Sequence, residues 1–231
     1  MKYKTVKQAS FIERPNRFNA VVSLDGERTT VHVKNTGRCR ELLLPGSKVY
    51  LSKAENPQRK TGYDLVAVEK RREDGSVMLI NMDSQLPNDA VFEWLPLSGL
   101  FSANAVIRRE VTHGDSRFDF YVEDTGVGSF IEVKGVTLEK DGCAMFPDAP
   151  TERGVKHLRG LASALKKGYN GIVIFVIQMK GVRKFMPNDL TDPAFASALR
   201  DAASAGVRII AVDCVVTPDS VTVDREVEIE L

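Results

Sequence analysis

The sequence predicts a two-part chain, a small β-barrel followed by an α/β domain on a mixed sheet. Three observations lead there. Short strands and turns fill the first third, and from about Leu86 helices and strands alternate. The charge divides near the same place: residues 1–82 hold 16 Lys and Arg against 9 Asp and Glu, while residues 83–231 hold 16 against 22. The net charge of +1 over 231 residues hides this split. A basic half supplies attraction to phosphate, and an acidic half is compatible with the same polymer if some of its carboxylates face a metal ion. Chance drift of surface charge gives the same numbers, so the split alone decides nothing.

In the first part, residues 17–22 and 29–33 read as strands flanking Leu24-Asp25-Gly26-Glu27, whose Asp-Gly pair signals a hairpin. Residues 39–44 suggest a helical turn stopped by Pro45-Gly46. Residues 48–51, 63–68 and 77–81 complete about five short strands, the last two joined through Glu73-Asp74-Gly75. An OB-type barrel fits this pattern, as do other small β folds.

In the second part, residues 88–95 read as a helix, and residues 117–123 and 129–136 as strands around a glycine-containing turn. Thr151 is a candidate N-cap for a helix that sets Val155, Leu158, Ala162 and Leu165 on one face and stops at Gly168. The apolar run of residues 172–177 suits a central strand covered on both faces. Asp192-Pro193 opens another helix, which ends at Gly206. Residues 207–212 form a further buried strand, and residues 221–231 an edge. Expected domains are therefore 1–82 and 83–231.

Composition sets outer bounds. Hydrophobic residues at 43% and charged residues at 27% describe an ordinary globular chain. No apolar run is long enough to cross a bilayer, and the basic start lacks the apolar stretch of a secretion signal. Cys39, Cys143 and Cys214 are odd in number and far apart, which reads as free thiols in the cytoplasm.

The chemistry concentrates in two strands. In Ser129-Phe130-Ile131-Glu132-Val133-Lys134, alternation sets Glu132 and Lys134 on one face. In Arg117-Phe118-Asp119-Phe120, Asp119 should point away from both phenylalanines. If Asp119 lies across from Glu132 or Lys134, two carboxylates and an ammonium converge; a one-residue slip separates them. Such a group suits phosphodiester hydrolysis. Asp119 and Glu132 would hold Mg²⁺, with Mn²⁺ as a substitute, and the metal would activate a water. Lys134 would orient that water or stabilise the transition state. A surface salt bridge is the competing reading. Arg153, Lys156 and His157 recur at helical spacing with Gly160 and could contact phosphate, or form a solvated face. Lys34, Arg38, Arg40, Arg59 and Lys60 fall on expected loops of the small domain and could track a nucleic-acid backbone. Phe18, Tyr50 and Tyr63 are the nearby aromatics for base stacking, each equally suited to a core. Glu93 and Glu110 could add an acid to the metal site.

A family resemblance rests on Asn35-Thr36-Gly37-Arg38, Glu41-Leu42-Leu43, Pro45-Gly46, Arg59-Lys60-Thr61 and Gln85-Leu86-Pro87-Asn88. It continues through Ser116-Arg117-Phe118-Asp119-Phe120, Glu132-Val133-Lys134-Gly135-Val136-Thr137-Leu138 and the run from Phe146 to Leu158. In this order, across nearly the whole chain, the sequence resembles the sugar fermentation stimulation protein A family. The resemblance implies an N-terminal OB-like domain and a C-terminal domain of the PD-(D/E)xK nuclease type, with Asp119, Glu132 and Lys134 at the nuclease positions. It also implies DNA binding and a link to expression of sugar-utilisation genes. Arg38-Cys39-Arg40 and Pro150 depart from the family pattern without touching the carboxylates. Cleavage against binding alone, DNA against RNA, and the oligomeric state stay open.

Overall fold

The barrel begins earlier in the chain than the alternation suggests. The computed structural model describes residues 1–35, 37, 39–56 and 58–231. It opens with β1 (Val6–Glu13), which the pattern conceals because Lys7, Gln8 and Ser10 dilute the apolar signal of Ala9 and Phe11. Strands β2 (Asn19–Leu24) and β3 (Glu27–Val33) follow as the expected hairpin. Its turn residues Asp25 and Gly26 have φ of 53° and 88°, the left-handed pair that a two-residue hairpin requires. After β4 (Lys48–Lys53) and β5 (Tyr63–Arg71), a parallel pairing of His32 with Asp64 and of Val33 with Leu65 closes the ring. The result is a closed, OB-like barrel of five strands in the order β3-β2-β1-β4-β5. The last expected strand, β6 (Val77–Asn81), adds to β5 outside that ring. Val22, Val31, Val49, Leu51, Leu65 and Val68 fill the interior.

The α/β domain starts with α1 (Leu86–Trp94) and a short 3-10 turn (Leu95–Leu97). Strands β7 (Val106–His113), β8 (Ser116–Asp124) and β9 (Val127–Val136) come next, then β10 (Leu138–Lys140) and β11 (Cys143–Phe146). Helix α2 (Glu152–Leu165), β12 (Asn170–Ile177), β13 (Lys184–Pro187) and α3 (Pro193–Ser204) follow. The chain ends with β14 (Arg208–Thr217), β15 (Ser220–Glu226) and β16 (Glu228–Ile229). The main sheet has the order β15-β14-β12-β9-β8-β7 and is mixed: β9, β12 and β14 run parallel, and the outer strands antiparallel. The apolar run of β12 sits at its centre and is buried on both faces. Sequence pattern does not disclose β7, whose residues are largely exposed, nor the second sheet β10-β11-β13-β16, whose strands are four residues or fewer.

Capping follows expectation. Thr151 Oγ1 accepts from the Gly154 amide at 3.0 Å, and Asp192 Oδ1 from the Phe195 amide at 3.0 Å. The other Asp192 oxygen accepts from the Thr151 amide at 2.8 Å, so one carboxylate caps α3 and fixes the start of α2. The inward face of α2 corrects the sequence reading. Gly154, His157, Leu158, Leu161 and Ala164 are buried, whereas Val155, Ala162 and Leu165 flank the core half-covered. The helix is rotated because two glycines let it approach its neighbours. A Cβ on Gly160 would lie 3.1 Å from Phe118, and one on Gly154 3.0 Å from Phe195. His157 then turns inward.

The two parts are tied at several points. Lys70 Nζ donates to the carboxylate and the carbonyl of Glu139, both at 2.6 Å, and Arg72 donates to the Gly181 carbonyl at 3.0 Å. Gln178 Nε2 reaches Asn81 Oδ1 at 2.9 Å and the Asp83 carbonyl at 3.0 Å. Residues 1–3 pair with the turn into β15 and its start: the Tyr3 amide donates to the Asp219 carbonyl at 2.7 Å, and the Val221 amide to the Met1 carbonyl at 3.0 Å. The Glu139 side chain is 3% exposed, so Lys70→Ala would leave a buried carboxylate without its cation. Urea unfolding is expected to show a loss on the order of 3 kcal/mol. A loss near zero would mean that water replaces the ammonium. Among the described residues, no helix is long and apolar enough to cross a membrane.

Candidate metal and nucleic-acid site

Strands β8 and β9 pair only as far as Phe120 opposite Ile131. The same register carried one step further sets Asp119 opposite Glu132, but there the strands part. The Val133 amide turns to donate to Asp119 Oδ2 at 2.7 Å, and Asn88 on α1 donates to Oδ1 at 2.9 Å. The alternation expected around Asp119 also fails. Phe118 packs with Phe130 and His157 on the α2 side of the sheet, whereas Phe120 stacks with Phe92 of α1 on the other side. Strand β8 therefore changes face at Asp119. Across from it on β7, Glu110 has a left-handed backbone, φ 56°, and takes no part in the ladder.

Glu132 and Lys134 share the α2 face of β9, as alternation requires. Glu132 Oε1 is held by Lys134 Nζ and by His157 Nδ1. Arg153 Nε lies 3.4 Å from His157 Nε2 on the far side of the ring. Glu132 Oε2 is buried and has no hydrogen-bond partner. Burial pushes the Asp119 carboxyl up, and the negative Glu132 adds to the rise. Burial acts on Glu132 in the same sense, but the hydrogen bonds and charges of His157 and Lys134 outweigh it and hold that carboxyl below its usual value. One carboxylate is thus fixed as an anion with a bare oxygen, beside another that resists a second negative charge.

The structure brings together Asp119, Glu132, Lys134, His157 and Arg153. Asn88 joins them, a role that spacing alone does not signal because α1 lies far from β8 in the chain. Among the described residues, no group of three or more His, Cys, Asp and Glu side chains is disposed to hold a metal ion. Any cation here would have two carboxylates and fill its remaining positions with water. Glu93 pairs with the N-terminal ammonium, and Glu110 lies 3.7 Å from Arg117; both are exposed.

The other expected contacts scatter. Lys156 is exposed on a separate stripe of α2 with Glu152, Val155 and Arg159. Lys34 lies 3.3 Å from Asp83 and 3.8 Å from Asp64, and Arg59 forks onto Asp64 at 2.8 and 3.1 Å. Those two charges are engaged inside the barrel rim. Arg40 and Lys60 are exposed, and Arg38 lies outside the described residues.

Comparison with known proteins agrees with this architecture. Residues 12–80 match the model of the SfsA N-terminal OB domain, and residues 85–220 that of the sugar fermentation stimulation protein RE domain. A sugar fermentation stimulation protein homolog of Ruminiclostridium cellulolyticum is 52% identical over 231 residues, covering all of both chains. A homolog of the same description from Desulfitobacterium hafniense is 51% identical, covering all of this chain and 99% of its own. A solved structure of Pyrococcus furiosus SfsA in complex with Ca²⁺ superposes with a TM-score of 0.87 at 27% identity, covering 100% of this chain and 98% of that one. With both of its parts matched and full-length relatives above half identity, the chain belongs to the sugar fermentation stimulation protein family.

Proposed function

We propose that this protein binds DNA and that its α/β domain is of the PD-(D/E)xK nuclease type, holding a divalent cation at Asp119 and Glu132. The observation that carries this reading is the bare, buried Oε2 of Glu132 beside Asp119. A buried carboxylate oxygen without a donor is costly, and a cation would satisfy it while relieving the repulsion between the two acids. The donor set is all oxygen, which suits Mg²⁺ with Mn²⁺ as a substitute. The P. furiosus relative, whose structure is described as a complex with Ca²⁺, supports a hard cation in this family.

Each residue has a part in this reading. His157 and Lys134 fix Oε1 of Glu132, so Oε2 would meet a cation in one orientation. The Val133 amide and Asn88 hold Asp119 in the same way. When bound, a divalent cation would lower the pKa of a water and offset charge on a phosphate. The Lys134 ammonium would attract the phosphate and orient the attacking water. Arg153 would meet the flanking backbone. The domains would divide near residue 82, and the free thiols of Cys39, Cys143 and Cys214 support a cytoplasmic placement. A role in expression of sugar-utilisation genes comes with the family, not with any residue.

The second reading, hydrolysis of phosphodiester bonds, is favoured by the intact Asp119, Glu132 and Lys134. Purified protein incubated with DNA and RNA, in Mg²⁺ or Mn²⁺ and in chelator, tests it beside Lys134→Ala. Metal-dependent cutting that falls by about 10²-fold or more in the variant is the expected result for a nuclease. Binding without cutting in every condition would remove hydrolysis and leave the binding reading. Affinity should fall steeply with salt, and a salt-insensitive complex would overturn the phosphate contacts.

A further inference from the structure

A cleft of about 440 Å³ opens on the barrel between the β1–β2 and β3–β4 connections, lined among others by Arg14, Asn16, Arg17, Gly37 and Arg40. Arg14 donates to the carbonyls of Gly37 at 2.8 Å, Arg17 at 2.8 Å and Asn35 at 2.6 Å, tying the two connections together. Asn16 Oδ1 accepts from the amides of Phe18 at 2.9 Å and Asn19 at 3.0 Å, which sets the turn into β2. Arg17 and Arg40 are exposed, and among the described residues neither forms an ion pair. Asp148 is a carboxylate beside this cleft, against Gly37, whereas Glu73, Asp74, Glu139 and Asp141 all line the cleft around Lys70 and Arg183.

An aromatic ring stands next to these charges. Phe18 is 49% exposed, and the Arg17 guanidinium lies 5.1 Å from its centroid. Its carbonyl accepts from the Val33 amide at 2.7 Å, so the backbone beneath the ring is anchored to the barrel wall. The other two candidate aromatics are committed elsewhere: Tyr50 donates to Glu69 at 2.7 Å, and Tyr63 packs on the core. Guanidinium groups recognise phosphate of any nucleic acid, but a ring can stack only on a base whose face is free. In closed barrels of this type, the connection between the first two strands commonly meets oligonucleotides. The cleft also abuts the α/β domain. A Cβ on Gly37 would lie 2.3 Å from an oxygen of Asp148, in the segment that leads into α2 with Arg153 and His157.

We propose that this cleft binds unpaired nucleotides, with Arg17 and Arg40 on the phosphates and Phe18 stacked on a base, so that the barrel prefers single-stranded nucleic acid. This rests on the nucleic-acid reading above and adds a strand preference to it. The test is fluorescence anisotropy with a labelled single strand of about 12 nucleotides and the matching duplex, both in chelator so that no cutting intervenes. Wild-type protein is expected to bind the single strand about tenfold more tightly than the duplex. Phe18→Ala should weaken single-strand binding by roughly tenfold and abolish that preference. In Phe18→Trp, affinity should persist, and single strand should quench emission beyond the change seen in wild type, whose sole tryptophan is Trp94. Equal affinity for both strands, unchanged binding by Phe18→Ala, or no added quenching would each overturn the proposal. Binding of both single strand and duplex that ignores Phe18 would sink the cleft and leave the nucleic-acid reading. Failure to bind either strand would sink the nucleic-acid reading with it.

Discussion

Glu132→Ala is expected to lower folding stability by about 3–5 kcal/mol, read as a shift of the urea unfolding midpoint. The carboxylate is the common partner of Lys134 and His157, and the three side chains are 4%, 16% and 6% exposed. Truncation leaves an ammonium and an imidazole buried together without their anion, and it opens a cavity beneath α2. Glu132→Gln separates this structural effect from metal binding. The amide keeps the size and one acceptor oxygen, so most of the stability should survive. Added Mg²⁺ should raise the melting temperature of wild type and leave that of Glu132→Gln unchanged, because only a protein that binds a ligand in its folded state is stabilised by it. A loss below about 1 kcal/mol in the alanine variant would show that the three groups do not depend on one another. A Mg²⁺ response that survives Glu132→Gln would move the cation elsewhere.

Phe175→Ala should be as damaging by a different route, about 3–5 kcal/mol. The side chain is fully buried on the central strand β12. Its ring stacks on Phe185 at 4.2 Å between centroids and lies 5.6 Å from Phe146 and 6.4 Å from Phe195. It therefore joins the main sheet, the small sheet and α3, and its loss opens a void with three aromatic walls. Phe175 also stands beside Lys134 in the β9–β12 register, so the void would lie next to the site. Phe175→Leu, which fills much of the space, should cost markedly less. Equal losses in the two variants would mean that the ring geometry, not the volume, holds this layer together.

How much of this was legible in the sequence depends on whether a feature is local. The Asp25-Gly26 hairpin, the Thr151 and Asp192 caps and the apolar run of β12 are each set by neighbouring residues and stand where pattern puts them. Strand β1 is hidden because Lys7, Gln8 and Ser10 leave little period-two signal around Ala9 and Phe11. The inward face of α2 was misread for a similar reason. Helical periodicity favours Val155 over His157, and the preference is reversed by contacts with distant parts of the chain: the close approach at Gly154 and Gly160 and Glu132 on the facing strand. Glu132 and Lys134 were placed correctly because β9 alternates without interruption. Asp119 was brought to them by a route that alternation does not describe, since its strand changes face at that residue. Lys34 and Arg59 looked like free loop cations because their partner, Asp64, arrives from another strand of the closed ring.

The face change at Asp119 has a consequence for anyone wishing to transplant or redesign the site. Phe118 anchors one side of that residue in the layer under α2, and Phe120 anchors the other in the layer under α1. The carboxylate is thus suspended between two separately packed interiors, like a bridge cable between two towers. Repacking either interior would retune the carboxylate without touching it, and a graft of β8 and β9 alone would carry the residues but not their alignment.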